Sequence, residues 1–165
     1  MFNDDVQGTG AVVVAAVHGG SHVTGVPLRD QKTVVFGAGT AGIGVADQIR
    51  DAMVDDGATV EQATSQIWPI DRQGLLFDDM DDLRDFQVPY AKNRQQLGVA
   101  AGERVGLVDA IKLASPTLLL GSSTVFGAFT QEVVQAMTAS CERPMIFPLS
   151  NPTSRMEAMP ADVLE

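Results

Sequence analysis

The sequence predicts an α/β fold, a doubly wound and mainly parallel sheet with helices on both faces. Three observations carry that expectation. Short apolar runs alternate with segments of helical periodicity. A glycine-rich turn, "GAGTAG" at 37–42, lies between the first clear apolar run and the most strongly periodic segment. The later apolar runs end in small polar residues, and open parallel sheets receive ligands beyond such strand ends.

Residues 9–20, "TGAVVVAAVHGG", are apolar and mostly small. Their valines favour a strand and their alanines a helix, and the pattern does not choose. "SHVTGVPLRDQ" is polar with Gly and Pro and reads as a loop. Residues 1–30 together are expected to form a helix and loop leading into the domain. His18 and His22, at i, i+4 spacing, would suit a metal on a helix, but Gly19 and Gly20 argue against a helix there.

Val34, Val35 and Phe36 form the first strand. After the glycine turn, Ile43, Ala46, Ile49, Ala52 and Met53 recur at helical spacing until Gly57. "ATVEQATSQ" suits a short helix with Thr59 and Gln62 as a capping box. Ile67 to Ile70 form a second strand ending at Asp71. Asp78, Asp79, Asp81, Asp82 and Asp85 then make an acidic segment, read as a solvated loop rather than a metal site because no His or Cys is near. A helix is expected in "YAKNRQQL", another in "VGLVDAIKLA", a strand in "PTLLLGSS", a helix in "FTQEVVQAMTAS" and a fourth strand in "PMIFPLSNPTS".

Composition narrows the function. The chain has 165 residues, enough for one domain with a real core. Its net charge of -10, from 21 acids and 11 bases, argues against nucleic acid and anionic membranes as partners. A lone cysteine, Cys141, excludes an internal disulfide framework and suits a reducing compartment. No apolar run is long enough to span a membrane, and Asp4 and Asp5 stand where a signal peptide carries Lys or Arg. A cytoplasmic location is the expectation.

The chemistry centres on 37–42. In G-x-G-x-x-G between strand and helix, Gly37 permits the tight turn and Gly39 lets backbone approach a pyrophosphate. Gly42 lets helix and strand pack closely, with the helix N-terminus facing the anion. Gly37, Ala38, Gly39, Thr40 and Gly42 are therefore candidate dinucleotide ligands in a Rossmann-type domain. Asp71 is the candidate for an adenosine ribose hydroxyl. It lies 32 residues past Gly39, beyond the usual separation of about 20, with the "ATVEQATSQ" helix accounting for the excess. Arg72 would favour a 2′-phosphate that Asp71 would repel. Gly121 and Ser122 end the third strand, and Asn151 follows the fourth. All four strand ends are expected to face one crevice. Asn151 either bonds a ligand there or caps a helix starting near Pro152. Asp4 and Asp5 could serve Mg²⁺ or Mn²⁺, with at most one of them ligating.

These pieces together resemble the malic enzymes. "FNDDVQGTG", "FGAGTAGIG", "IWPIDRQGLL", "GAFTQEVVQAM" and "ERPMIFPLSNPTS" stand in the order of that family's NAD-binding domain, over nearly the whole chain. The resemblance implies oxidative decarboxylation of L-malate to pyruvate and CO₂ with NAD or NADP and Mg²⁺ or Mn²⁺. It matches Asp5 to the metal ligand and Asp4 to the aspartate paired with the catalytic lysine. It matches Asn151 to the asparagine near malate and the nicotinamide. Gln87 falls where some NAD-preferring members carry glutamine and several NADP-preferring ones lysine. With Asp71, that tilts the expectation to NAD. The family's catalytic tyrosine, lysine and remaining metal ligands have no match here. The chain is thus expected to be a fragment, inactive alone, of an enzyme that is a homo-oligomer. Malolactic enzymes, which turn malate into lactate, share these motifs. A non-catalytic dinucleotide-binding or oligomerisation module is the third alternative.

Overall fold

The computed structural model describes residues 7–159, together with 161 and 163. Five strands form one sheet: β1 (Thr33–Phe36), β2 (Ile67–Asp71), β3 (Gly74–Leu75), β4 (Leu118–Gly121) and β5 (Met145–Pro148). Their spatial order is β3-β2-β1-β4-β5. β1 pairs in parallel with both β2 and β4, and β4 pairs in parallel with β5. Only the two-residue β3 is antiparallel, and "QGLL" carries too short an apolar run to announce it. Strand order reverses between β1 and β4, so the crevice at their carboxyl ends is the switch point of the sheet.

Side-chain alternation along the strands builds two cores. Val35, Leu118 and Leu120 face a layer made by α1 (Thr9–Thr24), α2 (Thr40–Asp55) and α3 (Val60–Ser65). Val34 and Leu119 face the opposite layer, where α5 (Leu107–Ala114) and α6 (Gln131–Ser140) contribute Ile111, Val133 and Met137. Both faces of the central strands are covered, which is why "TVVF" and "LLLG" read as unbroken apolar runs.

Local chemistry agrees with the elements. Ile43, Ala46, Ile49 and Met53 make the buried stripe of α2, and the run ends at Gly57 with φ 107°. The capping box of α3 is formed on both sides: Thr59 Oγ1 accepts from Gln62 N at 3.2 Å, and Thr59 N donates to Gln62 Oε1 at 3.0 Å. Thr130 caps α6 through Val133 N.

Two expectations are corrected. First, α1 is one helix through Gly19 and Gly20 and on to Thr24, where a loop was expected. A Cβ on Gly20 would strike the Met145 side chain, so that glycine lets the helix approach β5. Packing outweighs the roughly 1 kcal/mol that a glycine costs a helix. His18 and His22 thus share a helix, but both are exposed, and no group of three metal-ligating side chains occurs among the described residues.

Second, the helix expected in "YAKNRQQL" shrinks to the single turn α4 (Arg94–Leu97), preceded by a 3-10 turn at Val88–Tyr90. Lys92 is held extended, its N–H donating to Leu76 O and its carbonyl accepting from Asp78 N. The acidic segment is a solvated loop, as expected, with Asp78, Asp79, Asp81, Asp82 and Asp85 all exposed. Asp79 takes the Nε–H of Arg94 at 2.8 Å, while that buried guanidinium stacks 3.8 Å from the Phe77 ring centre. Asp78 and Asp82 accept from Asn93 and Gln73.

Lys92 is an expensive feature of this fold. Its Nζ donates to Ser65 O at 2.7 Å and lies 5.2 Å from the Trp68 ring centre. Burial, with Lys32 nearby, pulls its pKa down to about 7. The unfolded chain therefore holds this proton between about pH 7 and the ordinary lysine value, while the folded chain has released it. The penalty is full below pH 7 and fades as pH rises through that window. We expect Lys92→Met to stabilise the protein most at pH 6, and the advantage to shrink steadily toward pH 9, in urea midpoints measured across that range.

Candidate dinucleotide-binding site

The turn from β1 into α2 is anchored from below. Gly37 N and Ala38 N both donate to Ile70 O, at 2.8 and 3.0 Å. Gly37 has φ 104°, and a Cβ there would run into the Ser122–Ser123 peptide, 2.5 Å from Ser123 N. A Cβ on Gly42 would fall on Gly37 O and lie 2.5 Å from Ser122 Oγ. Ser122 Oγ donates to that same carbonyl at 2.7 Å, so the turn after β1 and the end of β4 are joined directly.

Gly39 differs from both. Its surroundings are open, with no atom near a Cβ placed on it. It is the N-cap of α2, no side chain caps the helix, and its first turn contains no acid. The positive end of the helix dipole and its leading N–H groups are thus offered to an anion. Thr40 begins the helix at this point.

Asp71 ends β2 beside this turn. Its carboxylate accepts from Arg72 N at 2.9 Å and from Gln87 Nε2 at 3.1 Å. The buried Gln87 also donates to Ala38 O at 2.7 Å and accepts Arg84 N at 3.0 Å. One amide therefore ties the glycine turn to the acid. The resemblance singles out Gln87 for cofactor preference; its bridging role comes from the fold.

A cleft of about 480 Å³ opens here, lined by Gly37, Gly39, Asp71, Arg72, Ser122 and Ser123, with Phe36, Arg84, Arg104, Thr124 and Val125. Arg84 and Arg104 escape a sequence reading because they lie far apart along the chain. Arg104 reaches the site through a hydrogen bond to Arg72 O at 3.1 Å. Among the described residues, the salt bridges involve Arg29, Arg50 and Arg94, and none of these three cleft arginines. The mouth of the cleft is basic in an acidic chain.

Three strand ends, those of β1, β2 and β4, supply the lining, where four were expected. Gly121 is buried at the end of β4 and stands behind the cleft wall. Asn151 follows β5, exposed and outside the lining, with a cis bond to Pro152. It does not cap a helix: the following 3-10 turn, Thr153–Arg155, has Pro152 at its N-cap and no side-chain cap. Asp4 and Asp5 lie outside the described residues. Among the described residues, no group of three His, Cys, Asp or Glu side chains stands ready to hold a metal ion.

The geometry can be set beside known proteins. The family model described as "Malic enzyme, NAD binding domain" matches residues 6–165. The chain is 82% identical over 164 residues to a putative malate oxidoreductase [NAD] of Mycobacterium tuberculosis, covering 99% of this chain and 30% of that protein. It is 48% identical over 164 residues to the malolactic enzyme of Lactococcus lactis, again covering 99% of this chain and 30% of the relative. It therefore spans under a third of the length of these relatives. The crystal structure of Entamoeba histolytica malic enzyme superposes with a TM-score of 0.71 at 20% identity, over 99% of this chain and 31% of that one, a likeness of fold. Matched from residue 6 to residue 165, this chain belongs to the malic enzyme family, and it is that family's NAD-binding domain.

Proposed function

We propose that the cleft at the β1/β4 switch point binds NAD, and that within a longer enzyme this chain serves the oxidative decarboxylation of L-malate to pyruvate and CO₂. The observation that carries the reading is the pairing of an open Gly39 at the uncapped α2 terminus with Asp71 held beside it by Gln87. Gly39 and Thr40, at the open amino end of α2, would receive the pyrophosphate, with Gly37, Ala38 and Gly42 shaping the turn behind them, and Asp71 would take the adenosine ribose. Bound NAD supplies a hydride acceptor. The residues around it bind, orient and exclude water.

Asp71 disfavours a 2′-phosphate, while Arg72, Arg84 and Arg104 offset part of that repulsion. The preference for NAD over NADP is accordingly modest. Mg²⁺ or Mn²⁺ belongs to the same proposal, with Asp5 as its ligand from this chain and Asp4 beside it. Asn151 is assigned to the malate and nicotinamide side. The polypeptide of residues 1–165 by itself binds cofactor without turning over malate. Exposed Val12 and Val23 on α1 offer apolar surface to a second copy of the chain in a homo-oligomer. The lone cysteine suits a cytoplasmic setting, and no helix among the described residues is long and apolar enough to cross a membrane. The likeness to a malolactic enzyme supports a second reading, in which the longer enzyme releases lactate; product analysis separates the two.

NADH fluorescence titration of this chain tests the proposal. Saturable NADH binding is expected, tighter than that of NADPH by a factor of about three to ten, which is roughly 1 kcal/mol. Asp71→Ala should erase or reverse that order. Absence of saturable binding would refute the reading.

Two glycine variants should part company. Gly39→Val enters open space at an extended φ of -75°, so we expect an unchanged melting temperature and lost NADH binding. Gly42→Val meets the Gly37 carbonyl and should lower stability by about 2–3 kcal/mol, seen in denaturant unfolding.

A further inference from the structure

Glu157 is fully buried, yet it belongs to no strand or helix and lies outside the motifs that mark the site. Its carboxylate accepts four hydrogen bonds. Ser123 N and Ser123 Oγ each donate at 2.8 Å, Ser150 Oγ at 2.6 Å and Ser150 N at 3.3 Å. Ser123 belongs to the loop after β4, which lines the cleft, and Ser150 to the loop after β5, next to Asn151. Ser150 Oγ in turn accepts Thr124 N at 3.0 Å, and Thr124 has φ 59°, an uncommon state for a β-branched residue. Gly121 makes room for the arrangement: a Cβ there would lie 2.7 Å from the Glu157 carboxyl carbon.

We propose that Glu157 is a positioning residue that fixes, from behind, the wall of the cleft facing the nicotinamide half of the dinucleotide. This rests on the dinucleotide reading above. Asp71 at the end of β2 marks the adenosine side, and the β1–α2 turn marks the pyrophosphate. The remaining half then lies over the end of β4, on the Ser122–Thr124 side. The Ser122–Thr124 wall lacks regular secondary structure to hold it. Its shape depends on Ser122 Oγ bound to the glycine turn at one end and on the Glu157 hub at the other. Three of the four donors, Ser123 N, Ser123 Oγ and Ser150 Oγ, converge on Oε1, so a side chain without an acceptor, as in Glu157→Met, leaves them all unanswered. The wall then loses its anchor, while the adenosine side, held by Gln87 and Ile70, keeps its own.

The test compares NADH with ADP, which carries only the adenosine half, on wild type and Glu157→Met. We expect NADH affinity to fall about tenfold in the variant and ADP affinity to stay within about twofold. Gly121→Ala, which crowds the same carboxylate, should show the same split. If Glu157→Met does not fold, Ser150→Ala removes one anchor and is read in the same way. Equal losses of NADH and ADP in a folded variant would mean a general structural role and overturn the proposal, as would unchanged NADH binding. Wild-type chain that binds neither ligand would instead refute the dinucleotide reading on which it stands.

Discussion

The contact between the turn after β1 and the loop after β4 governs this domain. Gly37, Gly42 and Ser122 meet with almost no space between them, and a hydroxyl-to-carbonyl hydrogen bond closes the contact. Everything that defines the cleft follows from that approach. It brings the amino end of α2 over the sheet, sets the distance from β1 to β4, and leaves Gly39 as the open position in the turn. Because both sides are backbone, neither can yield to a larger side chain.

Around this contact the polar groups form two separate supports. On the β2 side, the Gln87 amide spans from the Ala38 carbonyl to the Asp71 carboxylate. On the β4 side, Glu157 gathers the Ser123 and Ser150 loops. Both groups are buried and bonded through several atoms, so each fixes a wall without exposing itself to ligand. The two halves of the cleft are thereby braced from opposite ends of the chain's second half, at positions 87 and 157.

Much of the fold was legible. β1, α2, the α3 capping box and β2 appear where periodicity and capping chemistry place them, because these are local effects within a few residues. The misreadings have a common cause. Residues 18–24 look like a loop because two glycines weaken helix propensity locally, yet Gly20 serves a close approach to Met145 in β5. "YAKNRQQL" has helical composition, yet Lys92 is drawn out by hydrogen bonds to Leu76 and Asp78. In each case a partner distant in sequence outweighed the local preference.

The same division holds for the site. The sequence by itself determined the fold class, the glycine turn, the acid at the end of β2 and the family, since each lies in a short contiguous pattern with a local mechanism. Only the tertiary structure decided which residues wall the cleft. It brought Arg84 and Arg104 to the mouth, set Gln87 between turn and acid, and placed Glu157 behind Ser123. It left Asn151 outside the lining. Hydrogen bonds across thirty or more residues depend on how strands pair and helices cross over, and no pattern confined to one stretch of chain encodes them.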